Sequence, residues 1–575
     1  MSTMPRAGGR PMLHTSPRRP KPPVVVALLS LALSAFAASN TACTALLGKT
    51  TDQCSTNQDC TKFSGKRFCR RSDATCQPLV TPECPRVFGG TNDQGYLDDN
   101  AVYIGAVISL TGAYGDNGGY IPFEGAVRTA LDDFDKESKG LPPAAGTNGR
   151  RRPLVAIMCD DKSAEDSDEN RTVLRAADHL VNTVGVSAVI GTPSTSTTLA
   201  MATERTIPGG VFTISPSATA ENLSLLQDYP AGDSPENGLL WRTAPSDRFQ
   251  AAAIAAYLQQ RLIPGLHKAP KNVPAGQVKI LNLFRGDAYG EGLNAIFKAT
   301  DAFNAIRGEQ YREFNYGTTV GSPTPTDISA QIRDFAPHII LTFGLSESAD
   351  TIKETERLWG ELPSTRNQPR PYYVSTEGVA VQALPEIVKG STVDPKLNTR
   401  ALYASPNLTA VENEIFSFFR DSYNATMDRL YQPGQAADAK GKINYFGLAG
   451  TYDSVYILGY AITSASSGNR SGKVTGRDIA QAMKKLVNGD AAPLYRRQMG
   501  QALATLSNGG TVNISGASGP LDFDLKTGDV AADIPLACLT ASGDSTSSAL
   551  VYRVGTKNVD GTFDKDACGY TPPQP

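Results

Sequence analysis

The chain has 575 residues, of which 40% are hydrophobic, so it is too long for one core and long enough for two or three globular domains. Its 55 Lys and Arg and 57 Asp and Glu leave a formal charge of −2, which gives no electrostatic case for a nucleic-acid partner. With only 4 His, no H-x-x-x-H and no paired C-x-x-C, neither a metal centre nor a cofactor is expected.

The N-terminus is basic and Pro-rich. Arg18, Arg19 and Lys21 precede Val24–Ala38, a run of about 15 mostly apolar residues. That length is short for a membrane span and suits the core of an export signal. Small residues follow, then Cys43. The segment resembles a bacterial lipoprotein signal, which implies lipidation at Cys43: Ala42 fits that pattern, and Asn40 departs from its usual Leu-like residue. Residues 1–42 are therefore read as an export signal, and the protein as exported to the periplasm or cell surface with a lipid anchor.

Without Cys43, eight of the 9 Cys remain, an even number suited to an oxidising compartment. Cys54, Cys60, Cys69 and Cys76 lie among polar residues, Gly and Lys/Arg, too few apolar groups for a core. Two disulfides are expected there, in any of three pairings; a zinc knuckle is the rival, with unfavourable spacing. Cys538 is expected to pair with Cys568, and Cys84 and Cys159 are left over. Residues 43–100 are read as a Cys-rich spacer.

From Val102 the pattern becomes α/β. Val102–Leu110, Leu154–Cys159, Val186–Ile190 and Val211–Ile214 are short Val/Ile-rich runs, each ending in a polar or Gly-containing turn and most followed by a helix. Hydroxyls gather just past two strand ends: Ser194, Thr195, Ser196 and Thr197 after one, Ser217 and Thr219 after the next. Open α/β sheets bind ligands at such ends, where helix N-termini present free N–H groups; the same residues also serve as ordinary N-caps. The pattern restarts at Trp241–Asp247, with Asp247 as the N-cap of a helix over Phe249–Leu262. Strands at Val278–Phe284, His338–Phe343 and Tyr372–Ser375 follow, then long helices over Val411–Leu430 and Phe446–Ser464.

The pieces Ile104–Gly118 (IGAVISLTGAYGDNG), Met158–Asp161, Ser187–Ala200, Ile214–Thr219, Trp241–Gln250, Asp287–Leu293, Ser375–Val379, Ala449–Ile462 and Ser518–Asp529 together resemble type I periplasmic binding proteins, in the leucine/isoleucine/valine-binding branch of ABC-transporter receptors. The resemblance implies two doubly wound α/β lobes joined by a three-crossing hinge, preceded here by the Cys-rich segment. Lobe one would take residues 101–243 and 406–518, and lobe two 244–405 and 519–575. By the same resemblance Ser194, Thr195, Ser196, Ser217 and Thr219 would hold a ligand carboxylate, Glu377 an ammonium, and Tyr114 and Tyr289 would line the cleft. Near Leu345–Glu347 the family often supplies a Tyr; Glu347 stands there instead and would suit a more polar or cationic ligand.

The implied function is an exported receptor that takes an amino acid or similar small polar ligand to an ABC permease. A sensor or surface-interaction protein on the same fold, without a transporter, is the alternative. No Gly-x-Ser-x-Gly elbow, nucleophile–base pair or phosphate loop points to an enzyme.

Overall fold

Two sheets, each with its own core, carry the strand ends that matter for the site. The structure is a computed structural model that describes residues 52–575 except 113–114, 145–146, 163–170, 269–271, 318–330, 333, 346, 366, 381–383, 390–395, 407–412, 469–472 and 569–575. Cys43 and the export signal lie outside the described residues.

The Cys-rich segment folds as a small module. Strands β1 (Arg67–Arg70) and β2 (Thr75–Pro78) form an antiparallel hairpin with Cys69 opposite Cys76. Two bridges, Cys54–Cys69 and Cys60–Cys76, take the place of an apolar core. With these sulfurs oxidised, the close group of Cys54, Cys60 and Cys76 offers no thiolate to a zinc ion. The segment is more than a spacer. Strand β3 (Arg86–Phe88) joins the lobe-one sheet antiparallel to β5 (Leu154–Asp160), and Cys84 bridges Cys159 within β5 itself. The two cysteines that spacing left over are thus the pair that ties module to lobe.

Lobe one is built on the order β3-β5-β4-β6-β7-β8, with β4 (Val102–Ile108), β5 (Leu154–Asp160), β6 (Ala188–Ile190), β7 (Phe212–Ser215) and β8 (Leu240–Arg242) all parallel. Every residue of β5 is buried, as expected of a parallel strand covered on both faces. The helix Leu448–Gly468 is buried nearly all round. It packs on Ile121–Ser138 so closely that a Cβ on Gly459 would lie 2.3 Å from the Phe134 ring.

Lobe two is an eight-stranded sheet. Strands β9 (Lys279–Phe284), β10 (Gln310–Asn315), β11 (Ile339–Phe343), β12 (Tyr372–Ser375) and β13 (Ala401–Ala404) are parallel in the order β10-β9-β11-β12-β13. The late chain adds an antiparallel edge: β19 (Ile534–Leu539), β20 (Ser545–Arg553) and β21 (Asn558–Asp560). Cys538 and Cys568 are bridged, as the spacing suggested. The stretch 489–513, an insertion by sequence, contributes β14 (Asp490–Pro493), the helix Arg496–Ser507 and the start of β15 (Val512–Gly516); β15 pairs with β14 and with β16 (Gly519–Pro520). A short ribbon, β17 (Phe523–Asp524) with β18 (Asp529–Val530), completes lobe one.

The chain passes between the sheets three times: after β8, after β13 and after β18. Two of these passages are clamped together. Arg242 at the end of β8 donates through Nε to Asp529 of β18 at 2.9 Å, with both side chains buried. Its guanidinium also reaches the carbonyls of Ala218 and Ala220, so the buried charges are paired and hydrogen-bonded.

Candidate functional site

On the lobe-one side, Ser194 caps the helix Thr195–Met201, accepting from the Thr197 N–H at 3.4 Å. The first N–H groups of any helix have no partner within it, so this turn offers donors to an anion. The hydroxyls around it are woven together. Thr192 Oγ1 lies 2.9 Å from Thr198 Oγ1, and Ser194 Oγ lies 3.2 Å from Ser196 Oγ. Thr197 donates to Asp161 Oδ2 at 3.1 Å, and Ser109 donates to Asp161 Oδ1 at 2.7 Å. Asp160 beside it accepts from the N–H groups of Leu110 and Thr111. The two acids at the tip of β5 thereby hold both neighbouring loops. Ser217 Oγ donates to the Pro193 carbonyl at 3.0 Å, fixing the second hydroxyl loop to the first. Thr195 is buried, and Ser194, Ser196 and Ser217 are half-buried.

On the lobe-two side, Glu377 follows β12 and is 3% exposed. Ser405, just past β13, meets one carboxyl oxygen; Oε2 has no partner among the described residues. Burial pushes its pKa up to about 8, with Ser405 opposing the shift. Asp247 is the second such acid. Ser246, not Asp247, caps the helix Asp247–Tyr257, and Asp247 takes its first position, 1% exposed. Neither of its oxygens makes a well-formed hydrogen bond among the described residues. Burial raises its pKa to about 7 despite the nearby Thr219 hydroxyl and Arg242.

Buried acids elsewhere are satisfied. Asp133 accepts from Tyr452 and Tyr456, each at 2.9 Å, and Asp453 from the N–H groups of Ala517 and Ser518. Glu347 accepts from Arg285 at 2.9 Å and Tyr316 at 3.0 Å. Its charge is neutralised within lobe two, which removes the reason for reading it as the acid that sets a more polar ligand; Asp247 is the acid with free capacity.

The two sides meet. Asp247 N–H donates to the Thr219 carbonyl at 2.8 Å. Tyr289, on the helix Ala288–Ala299, brings its phenol to the Thr376 hydroxyl, one residue before Glu377, and lies near Asp247. That helix also touches Thr195–Met201 across the lobes. Ser194, Ser217, Thr219, Asp247, Tyr289 and Glu377 thus follow one continuous path from lobe one to lobe two. Tyr114 lies outside the described residues. The sequence does not separate Ser246 from Asp247 as the cap, because both residue types are good caps.

No protein-family model and no curated sequence matches the chain. Solved structures do. The leucine-binding protein LivK of Thermotoga maritima aligns at 18% identity and TM-score 0.51, over 79% of this chain and 100% of that one. LivJ of Streptococcus pneumoniae, a branched-chain amino acid transporter substrate-binding protein in complex with isoleucine, aligns at 18% identity and TM-score 0.50, over 80% and 100%. An ABC-transporter solute-binding protein of Rhodopseudomonas palustris, in complex with 3,4-dihydroxybenzoic acid, aligns at 15% identity and TM-score 0.51, over 81% and 98%. The chain therefore has the type I periplasmic binding fold.

Proposed function

We propose that this protein is an exported solute-binding receptor that captures an amino acid, or a similar small polar ligand bearing an ammonium group, between its lobes for an ABC permease. Glu377 carries the reading. It is a buried carboxyl with an oxygen unused among the described residues, whereas the buried acids Asp133 and Asp453 each accept at least two hydrogen bonds. An ammonium would give that oxygen a charge-assisted donor. Asp247 stands ready for a second N–H, Tyr289 and Tyr114 would line the cleft, and a ligand carboxylate would rest on the turn Ser194–Ser196 with Ser217 and Thr219. Burying both ends of a zwitterion costs several kcal/mol unless both are met, and the two walls are complementary in that sense.

Contact between the helices Thr195–Met201 and Ala288–Ala299 is what a closed state needs, and a ligand favouring that contact shifts the population toward it. Among the described residues no helix is long and apolar enough to cross a membrane, so attachment in this reading rests on lipidation of Cys43. The role is capture, not catalysis: a bound ligand is recovered chemically unchanged.

The test is a thermal-shift screen of the exported chain with amino acids, amides, 3,4-dihydroxybenzoate and small acids, followed by calorimetry. A ligand that binds only the native state raises the melting temperature. Amino acids should raise it; a response confined to aromatic acids would overturn the ammonium assignment.

A further inference from the structure

Where the Cys-rich module meets lobe one lies an open cavity of about 520 Å³. Its walls come from three sources: Lys66 and Val80 from the ends of the module hairpin, Pro85–Phe88 from the edge strand β3, and Glu124 and Arg128 from one face of Ile121–Ser138. Three cations, Lys66, Arg86 and Arg128, converge there against two acids, Glu124 and the neighbouring Asp93. Glu124 is already committed, bonded by Arg86 and by the Tyr431 hydroxyl. Arg128 bonds Asp93 at 2.9 Å and lies over the Phe88 ring at 4.2 Å. Arg86 lies over the Tyr120 ring at 4.3 Å.

Lys66 is the unbalanced member. It is half-buried, donates to the Val87 carbonyl at 2.8 Å, and forms no ion pair among the described residues. Its ammonium stands 5.3 Å from the Tyr96 ring. Asp93, whose field reaches it, is already held by Arg128. A partly desolvated cation without a counter-ion is costly, and an entering anion removes that cost. Guanidinium edges add planar donors matched to carboxylates, while Val80, Val87 and Phe88 supply an apolar floor. The volume falls in the range of small-molecule sites.

We propose that this cavity is a second binding site, separate from the cleft, for a small organic carboxylate with an apolar body, in which Lys66 and Arg128 hold the carboxylate. The module supplies the ammonium, so the site exists only because Cys84–Cys159 and β3 fix the module to lobe one.

The probe is benzoate, titrated with the purified exported chain and followed by proton NMR line broadening, with benzamide as the uncharged control. Saturable benzoate binding is expected, with benzamide silent. It should persist in Glu377→Gln, which alters only the cleft, and in Lys66→Arg, and weaken at least about tenfold in Lys66→Met. Should Lys66→Met fail to fold, Arg128→Gln carries the same expectation. The proposal is overturned if benzoate does not saturate, if benzamide binds equally, if folded Lys66→Met or Arg128→Gln binds like the parent, or if Glu377→Gln abolishes all binding.

Discussion

The two sides of the proposed site are made of different chemistry and are in different states of satisfaction. In lobe one, the polar groups are largely engaged with one another: Asp161 takes Ser109 and Thr197, Thr198 donates to the Ser194 carbonyl, and Ser217 donates to the Pro193 carbonyl. In lobe two, among the described residues, Glu377 keeps one carboxyl oxygen unused and neither oxygen of Asp247 makes a well-formed hydrogen bond. A saturated network is rigid and pre-shaped, whereas an unsatisfied buried acid is a cost waiting for a partner. In the proposed function, the lobe-one side would then be the mould for a ligand, and the lobe-two side the source of charge recognition.

The largest expected effect comes from removing that charge. Glu377→Ala should weaken amino acid binding by at least about thirtyfold in calorimetry, the loss seen when one partner of a buried charge pair is truncated. Unchanged affinity would break the contrast between the walls. Protonation offers the next test. Both acids have folded pKa values above those of the unfolded chain, about 8 for Glu377 and about 7 for Asp247. Below those values the empty site holds protons that a bound cation must displace. Affinity should then rise by about tenfold per pH unit for each acid until pH passes its pKa, with proton release seen as a buffer-dependent heat. The same shift acts on the empty protein in the opposite sense. Its contribution to stability is full below the unfolded carboxylate range and is lost as pH climbs through 7 and 8, so ligand protection against melting should grow toward alkaline pH.

A smaller effect is expected on the lobe-one side. Asp161→Asn leaves the shape but weakens two charge-assisted bonds, and should lower affinity about fivefold to tenfold and the melting temperature by a few degrees. Ser217→Ala should be the mildest, about threefold or less, because its hydroxyl is half-buried and bonds a single carbonyl. A reversal of this order, with Ser217→Ala exceeding Glu377→Ala, would mean that recognition rests on lobe one.

The contrast also separates what could be read along the chain from what could not. Most of the parallel strands were legible because Val/Ile-rich runs and the turns that end them are local signals, whereas β8, β10 and β13, which lack such runs, were not. The hydroxyl clusters after β6 and β7 were legible for the same reason, since strand ends are where loops begin. Asp161 was visible as part of a strand end, but its hold on Ser109 and Thr197 depends on residues far apart in sequence. Glu347 and Asp247 differ because ionic pairing and burial are properties of neighbours: Arg285 and Tyr316 bond one directly, whereas the other is fully buried with neither oxygen in a well-formed hydrogen bond among the described residues.

By itself the sequence determined the α/β alternation, the likeness to a two-lobed fold, and an even set of eight cysteines, because periodicity, turn residues and counting need no knowledge of what lies across the core. Tertiary structure alone decided that Cys54 pairs with Cys69 and Cys84 with Cys159, that the Cys-rich module extends the lobe-one sheet, and that Asp247 and Glu377 are both buried acids with pKa values pushed up by burial. The reason is the same in each case: disulfide pairing, edge-strand addition and the fate of a buried charge are set by distances between residues that the chain brings together only when it folds.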